Sequence, residues 1–90
     1  MIVLWAPEAE QDRAAIMDYI AADSPSAAIR MDLLFGEAAS RLTDHPHMGK
    51  PGHIPETREL IPHPSYRLVY TINQDTIWVL ALVHTARLWP

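Results

Sequence analysis

The chain has 90 residues, seven Lys+Arg against eleven Asp+Glu, a net charge of −4 and no cysteine. That length holds one domain, and the composition excludes disulfides, thiolate metal sites, a thiol nucleophile and the basic surface of a general nucleic-acid binder. Three glycines leave no phosphate-cradling loop, and the apolar run Ile77–Val83 is far short of the ~20 residues that span a bilayer. The N-terminal stretch lacks the basic-then-apolar pattern of a secretory leader, so a cytoplasmic location is expected.

Residues 1–6 form a short apolar run, read as a buried strand that Pro7 ends. Pro7 suits the first turn of a helix, and Glu8, Glu10 and Asp12 place negative charge where the helix dipole favours it. Ala9, Arg13, Ile16, Met17 and Ile20 share one stripe, which predicts a helix from Pro7 to Ala22 with Arg13 as the intruder. Ser24 is a natural N-cap before Pro25. Ala28, Met31, Phe35, Ala38 and Leu42 then trace the apolar stripe of a second helix, ended by Pro46. A tight turn makes the two an antiparallel helical hairpin.

Residues 47–56 carry Gly49, Pro51, Gly52 and Pro55 and read as a loop. Thr57–His63 reads as an edge strand because of Pro62. Tyr66–Asn73 alternates, with Tyr66, Leu68, Tyr70 and Ile72 on one face and Arg67, Val69 and Thr71 on the other. A turn at residues 73–75 leads to Thr76–His84, apolar on both faces and therefore read as a central strand with strict alternation. The expected fold is a single α+β domain over residues 1–90, β-α-α-β-β-β, a mostly antiparallel sheet with the helical hairpin on one face. Two helices cover only one side of such a sheet, so the other side is expected to be a binding surface.

The charge is divided, with three Arg and eight acids in residues 1–45, and Lys50, Arg58, Arg67 and Arg87 against three acids in residues 46–90. An anionic target would therefore meet the second half. RNA cleavage needs a base, an acid and cations for the charge that builds on phosphorus. His84, Glu59, Tyr66 or Tyr70, Arg58, Arg67 and Lys50 supply those types, with Arg58 and Arg67 expected to face each other across adjacent strands. The plainer alternative is an Arg/Glu ladder with a structural histidine at its end. His45 and His47 flank a proline in a loop with no cysteine or HExxH frame, so neither a metal nor a cofactor is expected. Trp5 and Trp78 read as core, and Trp89 as part of a docked tail.

The motifs Ala9-x-x-Asp12, Ile16-x-x-Tyr19-Ile20, Leu42-x-x-His45-Pro46, Gly49, Thr57-Arg58-Glu59-Leu60, Tyr66-Arg67-Leu68-Val69-Tyr70 and His84-x-Ala86-Arg87-x-Trp89-Pro90 occur in this order over nearly the whole chain. Together they resemble the RelE/ParE superfamily of toxins from bacterial type II toxin–antitoxin modules; Arg13 departs from the leucine usual there. The resemblance implies a growth-inhibiting plasmid-stabilisation toxin, neutralised by an antitoxin through which the pair reaches its operator DNA. It also implies one of two activities. A RelE-like member cuts mRNA on the ribosome, and would use Arg67 and His84, with Arg58 and Glu59, as catalytic residues. A ParE-like member poisons DNA gyrase by protein contact and needs no catalytic set. The tail and the low net charge favour the second, with Arg87, Trp89, Trp78 and Tyr66 as residues expected to touch target or antitoxin. A third reading is a degenerate toxin that acts only as an antitoxin-binding corepressor.

Overall fold

Prolines and one serine set the helix starts. In the computed structural model, which describes residues 1–90, helix α1 runs Pro7–Ala21 and helix α2 runs Pro25–Arg41, each with its proline in the first turn. The Ser24 hydroxyl accepts the Ala27 N–H at 3.2 Å, satisfying one of the free amides of the first turn of α2. The apolar stripe of α2 behaves as its spacing predicts: Ala28, Phe35, Ala38 and Ala39 are buried within it and Leu42 just beyond it. On α1 only Ala9 is fully buried, with Ile16 and Met17 packed beside it. Arg13 stays on the stripe because three groups receive it. Its Nε donates to Asp32 of α2 at 2.7 Å, its guanidinium lies 4.6 Å from the centre of the Trp5 ring, and Gly36 leaves space for its tip.

The strands are β1 (Ile2–Trp5), β2 (Lys50–Pro51), β3 (Thr57–His63), β4 (Tyr66–Asn73) and β5 (Thr76–His84), in the sheet order β1-β5-β4-β3-β2. All neighbours are antiparallel except β1 and β5, which run parallel. The α+β fold and its element order are as expected; the two-residue β2 inside the predicted loop is the addition. It moves β3 one place in from the edge. The first strand is an edge rather than a buried one: Val3 and Trp5 turn toward the helices while Ile2 and Leu4 are exposed.

Two irregularities set which side chains share a face. His63 pairs with Tyr66, but Leu60 pairs with Leu68, so the β3–β4 register slips by one residue around Pro62, which has no N–H to give the ladder. Val69 pairs with Ala81 and Tyr70 with Val79, leaving Leu80 as an extra residue in β5. The strict alternation expected for β5 therefore breaks. Ile77, Val79 and Leu82 join the core under the helices, while Trp78 and Ala81 lie on the opposite face.

That opposite face is only partly open. Ile2 and Leu4 are exposed on it, but Val69, Ala81, Thr57 and Glu59 are buried although no helix reaches them. The segment after β2 and the C-terminal tail fold over this half: the His53 N–H points to Glu59, and Arg67 donates to the Arg87 carbonyl.

Tyr70 anchors the loop between α2 and β3 from the helix side. Its hydroxyl donates to the Pro46 carbonyl at 2.7 Å and accepts the Gly49 N–H at 3.0 Å. A side chain at residue 49 would lie 2.8 Å from this ring, so only glycine fits. Burial pushes the Tyr70 phenol above its ordinary value of 10.0, against the lowering influence of the Gly49 amide and the Arg58 cation. The folded state thus favours the protonated phenol. This contribution is complete below the ordinary phenol value and is lost as pH rises through the higher folded one. Tyr70→Phe, which strands the Gly49 N–H and the Pro46 carbonyl, is expected to cost about 1–3 kcal/mol in urea unfolding at neutral pH. It should also flatten the alkaline fall in stability.

Candidate functional site

The two arginines expected to face each other lie on opposite faces. Arg58 pairs with Tyr70 on the helix side, whereas Arg67 pairs with Val83 on the other. The slip at Pro62 is the cause, because a one-residue change of register turns every side chain of a strand over. Each arginine is also engaged by the protein. Arg58 Nη1 donates to the carbonyls of His47 and Gly49, at 3.3 and 2.5 Å. Arg67 Nη1 donates to Glu59 at 3.2 Å and its Nη2 to the Arg87 carbonyl, so its fork joins strand β3 to the tail. Glu59 is 7% exposed and Arg67 15%, which makes this a largely buried ion pair. The candidate set Arg58, Glu59, Arg67 and His84 therefore does not converge on one point.

What does converge is a group at the far end of the sheet. The Tyr66 ring stands edge-on to Phe35 at 5.6 Å and to His84 at 5.7 Å, with His63 at 6.3 Å. Both histidines accept a backbone N–H on Nδ1, His63 from Ser65 and His84 from Ala86, at 3.1 Å in each case. With Nδ1 accepting, the proton of each neutral ring lies on Nε2, which is the donor. This group borders a groove of about 1100 Å³, also lined by Asp12, Ile16 and Tyr19 of α1 and by Leu88 and Trp89 of the tail. Tyr19 and Leu88 are 77% and 83% exposed, so this groove presents large apolar side chains to solvent. Of the residues expected to contact a partner, Tyr66, Arg87 and Trp89 border this groove. Trp78 does not: it sits on the helix-free face between Leu4 and Thr71.

The floor of the groove is an unpaired strand edge. β1 pairs with Thr76–Val79 only, so β5 from Leu80 to His84 has no neighbour on that side. Asp12 of α1 gives this edge a hydrogen bond, its carboxylate accepting the Leu82 N–H at 3.1 Å. Sequence reasoning assigned Asp12 to the helix dipole. Its reach to a strand 70 residues away was visible only as the Ala9-x-x-Asp12 spacing, which puts both residues on one helical face.

Comparison with known proteins agrees with this architecture. The family model described as "ParE toxin of type II toxin-antitoxin system, parDE" matches residues 3–89. The chain belongs to the ParE toxin family. Among its relatives, Toxin RelE2 of Caulobacter vibrioides is 36% identical over 86 residues, covering 96% of this chain and 97% of the other. The Y4kP protein of Sinorhizobium fredii is 34% identical over 89 residues, covering 98% and 92%. A solved structure titled "Chromosomal ParDE TA system from P. aeruginosa" shares the fold, with a TM-score of 0.81 and 22% identity over 93% of this chain and 95% of that one. No helix of this ParE-family chain is long and apolar enough to cross a membrane.

Removing the Asp12 carboxylate leaves the Leu82 N–H without its partner at a half-buried edge. Asp12→Ala is expected to lower stability by about 1.5–3 kcal/mol, read as a shift of the urea midpoint with an unchanged slope.

Proposed function

We propose that this chain is a cytoplasmic toxin that arrests growth by poisoning DNA gyrase through protein contact, and that an antitoxin neutralises it by laying a segment into the groove along β5. The observation that carries this reading is how the cations are used. An RNA-cleaving centre needs guanidinium groups free to meet a phosphate as charge develops. Here Arg58 is bound to two backbone carbonyls, and Arg67 to Glu59 and a third. A net charge of −4 also opposes tight binding to ribosomal RNA, whose affinity rests on neutralised phosphates. Contact with a protein target has no such requirement.

The groove supports the antitoxin part of the reading. A free edge takes an added strand through main-chain hydrogen bonds, while apolar side chains of the same segment find Ile16 and Tyr19. Glu8 and Asp12 on α1 favour a basic residue in that segment.

A second reading, ribosome-dependent mRNA cleavage, is favoured by one feature: Tyr66, His63 and His84 stand together with imidazole donors available for acid–base work. One pair of assays separates the two. Purified toxin with gyrase and supercoiled plasmid is expected to accumulate cleaved plasmid, and mRNA on programmed ribosomes is expected to stay intact. Cut mRNA with gyrase unaffected, abolished by His84→Ala, would replace the first reading by the second. Induction in bacteria should arrest growth, and co-expression of the neighbouring antitoxin gene should restore it. Normal growth with soluble toxin present would overturn both readings and leave a corepressor.

A further inference from the structure

The Arg67 guanidinium holds two segments that are distant in sequence. One arm meets Glu59 on β3, and the other meets the carbonyl of Arg87 in the tail. Glu59 in turn faces the His53 N–H across 3.5 Å. The pair is thus the single point where β3, β4, the segment after β2 and the C-terminal tail meet. Beyond it the tail has few other holds. The Thr85 N–H and hydroxyl bond to Ser65 and Pro64, the Ala86 N–H to the His84 ring, and the Arg87 N–H to the His84 carbonyl. From Leu88 onward no hydrogen bond is made; Leu88 is largely exposed, and Trp89 is half-buried along the groove.

We propose that Arg67 is a positioning residue, a latch that clips the tail at Arg87 and so sets Leu88 and Trp89 as part of the lining of the groove. The second half of this statement rests on reading the groove as the seat of the antitoxin segment. The latch requires arginine. Arg67 meets its carboxylate and its carbonyl from two separate nitrogens of a planar fork, whereas the three donors of a lysine ammonium radiate from a single nitrogen. Burial adds to the requirement: Glu59 is nine-tenths covered and needs a cation beside it, so lysine at position 67 would spend its charge on Glu59 and release Arg87. The same geometry explains why Arg67 is unsuited to meet a substrate phosphate. Turning to solvent would abandon a buried carboxylate.

The test separates the ion pair from the latch. Arg67→Lys keeps the charge against Glu59 and loses the fork; Arg67→Ala removes both. Backbone ¹⁵N relaxation of the free toxin reads the tail directly. Wild-type amides of Ala86–Trp89 are expected near the order parameter of rigid backbone, about 0.85, and the Arg67→Lys amides below about 0.6, with the strand amides unchanged. Thermal unfolding should place Arg67→Lys close to wild type and Arg67→Ala well below. If Arg67→Ala does not fold, the lysine variant still carries the comparison. Affinity for the protein encoded by the neighbouring antitoxin gene, measured by titration, is expected to fall about tenfold in Arg67→Lys as the preorganised lining is lost. Tail amides as ordered in Arg67→Lys as in wild type would overturn the latch. A loosened tail with unchanged affinity would overturn its role in the groove. A wild-type toxin that does not bind that protein at all would overturn the groove reading itself, leaving the relaxation data to judge the latch alone.

Discussion

A sheet that is apolar on both faces must be covered on both, and this chain has two helices, both on the same side. The constraint shapes everything else. The helical hairpin shields Leu68, Tyr70, Ile77, Val79 and Leu82. For the other face the chain uses what remains, an irregular segment after β2 and a short tail. Neither has regular structure with which to bury its own backbone groups, so each must be tied to a side chain of the sheet. Glu59 and Arg67 are those side chains. Their cover ends before β1, where Ile2 and Leu4 remain in solvent.

A buried ion pair is an expensive way to hold two segments. Desolvating both charges offsets most of their attraction, and an apolar pair of the same volume is often as stable. The structural gain lies in direction. A carboxylate and a guanidinium accept and donate along fixed lines, so they place a loop amide and a tail carbonyl where an apolar contact would let both slide. The ion pair is better understood as a device for placement than as a source of stability. The same account covers Arg13, which sits on an apolar helical stripe yet is satisfied by Asp32 and the Trp5 ring.

Local rules made part of this legible in the sequence. Pro7, Ser24 and Pro25 mark the helix starts through backbone chemistry that acts within a few residues, and the spacing from Ala28 to Leu42 names the buried stripe. The alternation of Tyr66–Asn73 also holds across both faces. What did not carry over was the relation between strands. A regular hairpin through His63 and Tyr66 would pair Arg58 with Thr71 and put it on the face of Arg67; the slip at Pro62 reverses this. The extra residue Leu80 does the same to the second half of β5. Pro62 marks in the sequence that the ladder is interrupted, but neither the resulting one-residue slip nor the bulge at Leu80 is specified by the alternation of a single strand. The division of the candidate nuclease set into two engaged arginines on opposite faces is therefore a property of register.

Register also accounts for the groove. β1 has only four residues and pairs with the first four of β5, so the longer strand runs on with one edge bare. Bare edges invite unwanted pairing between copies, and proteins usually blunt them with charge or short length. Here Asp12 places a carboxylate on the Leu82 N–H, filling one hydrogen-bonding position with a group that repels its equivalent in a second copy. A carboxylate on a flexible side chain differs from a proline or a bulge in one respect: it can leave. Under the proposed strand addition, a main-chain carbonyl would take its place on the Leu82 N–H, and a basic residue of that segment would compensate the displaced charge. On the proposed reading of the groove, a carboxylate at this position guards the edge of the free chain without removing the N–H that an added strand would use.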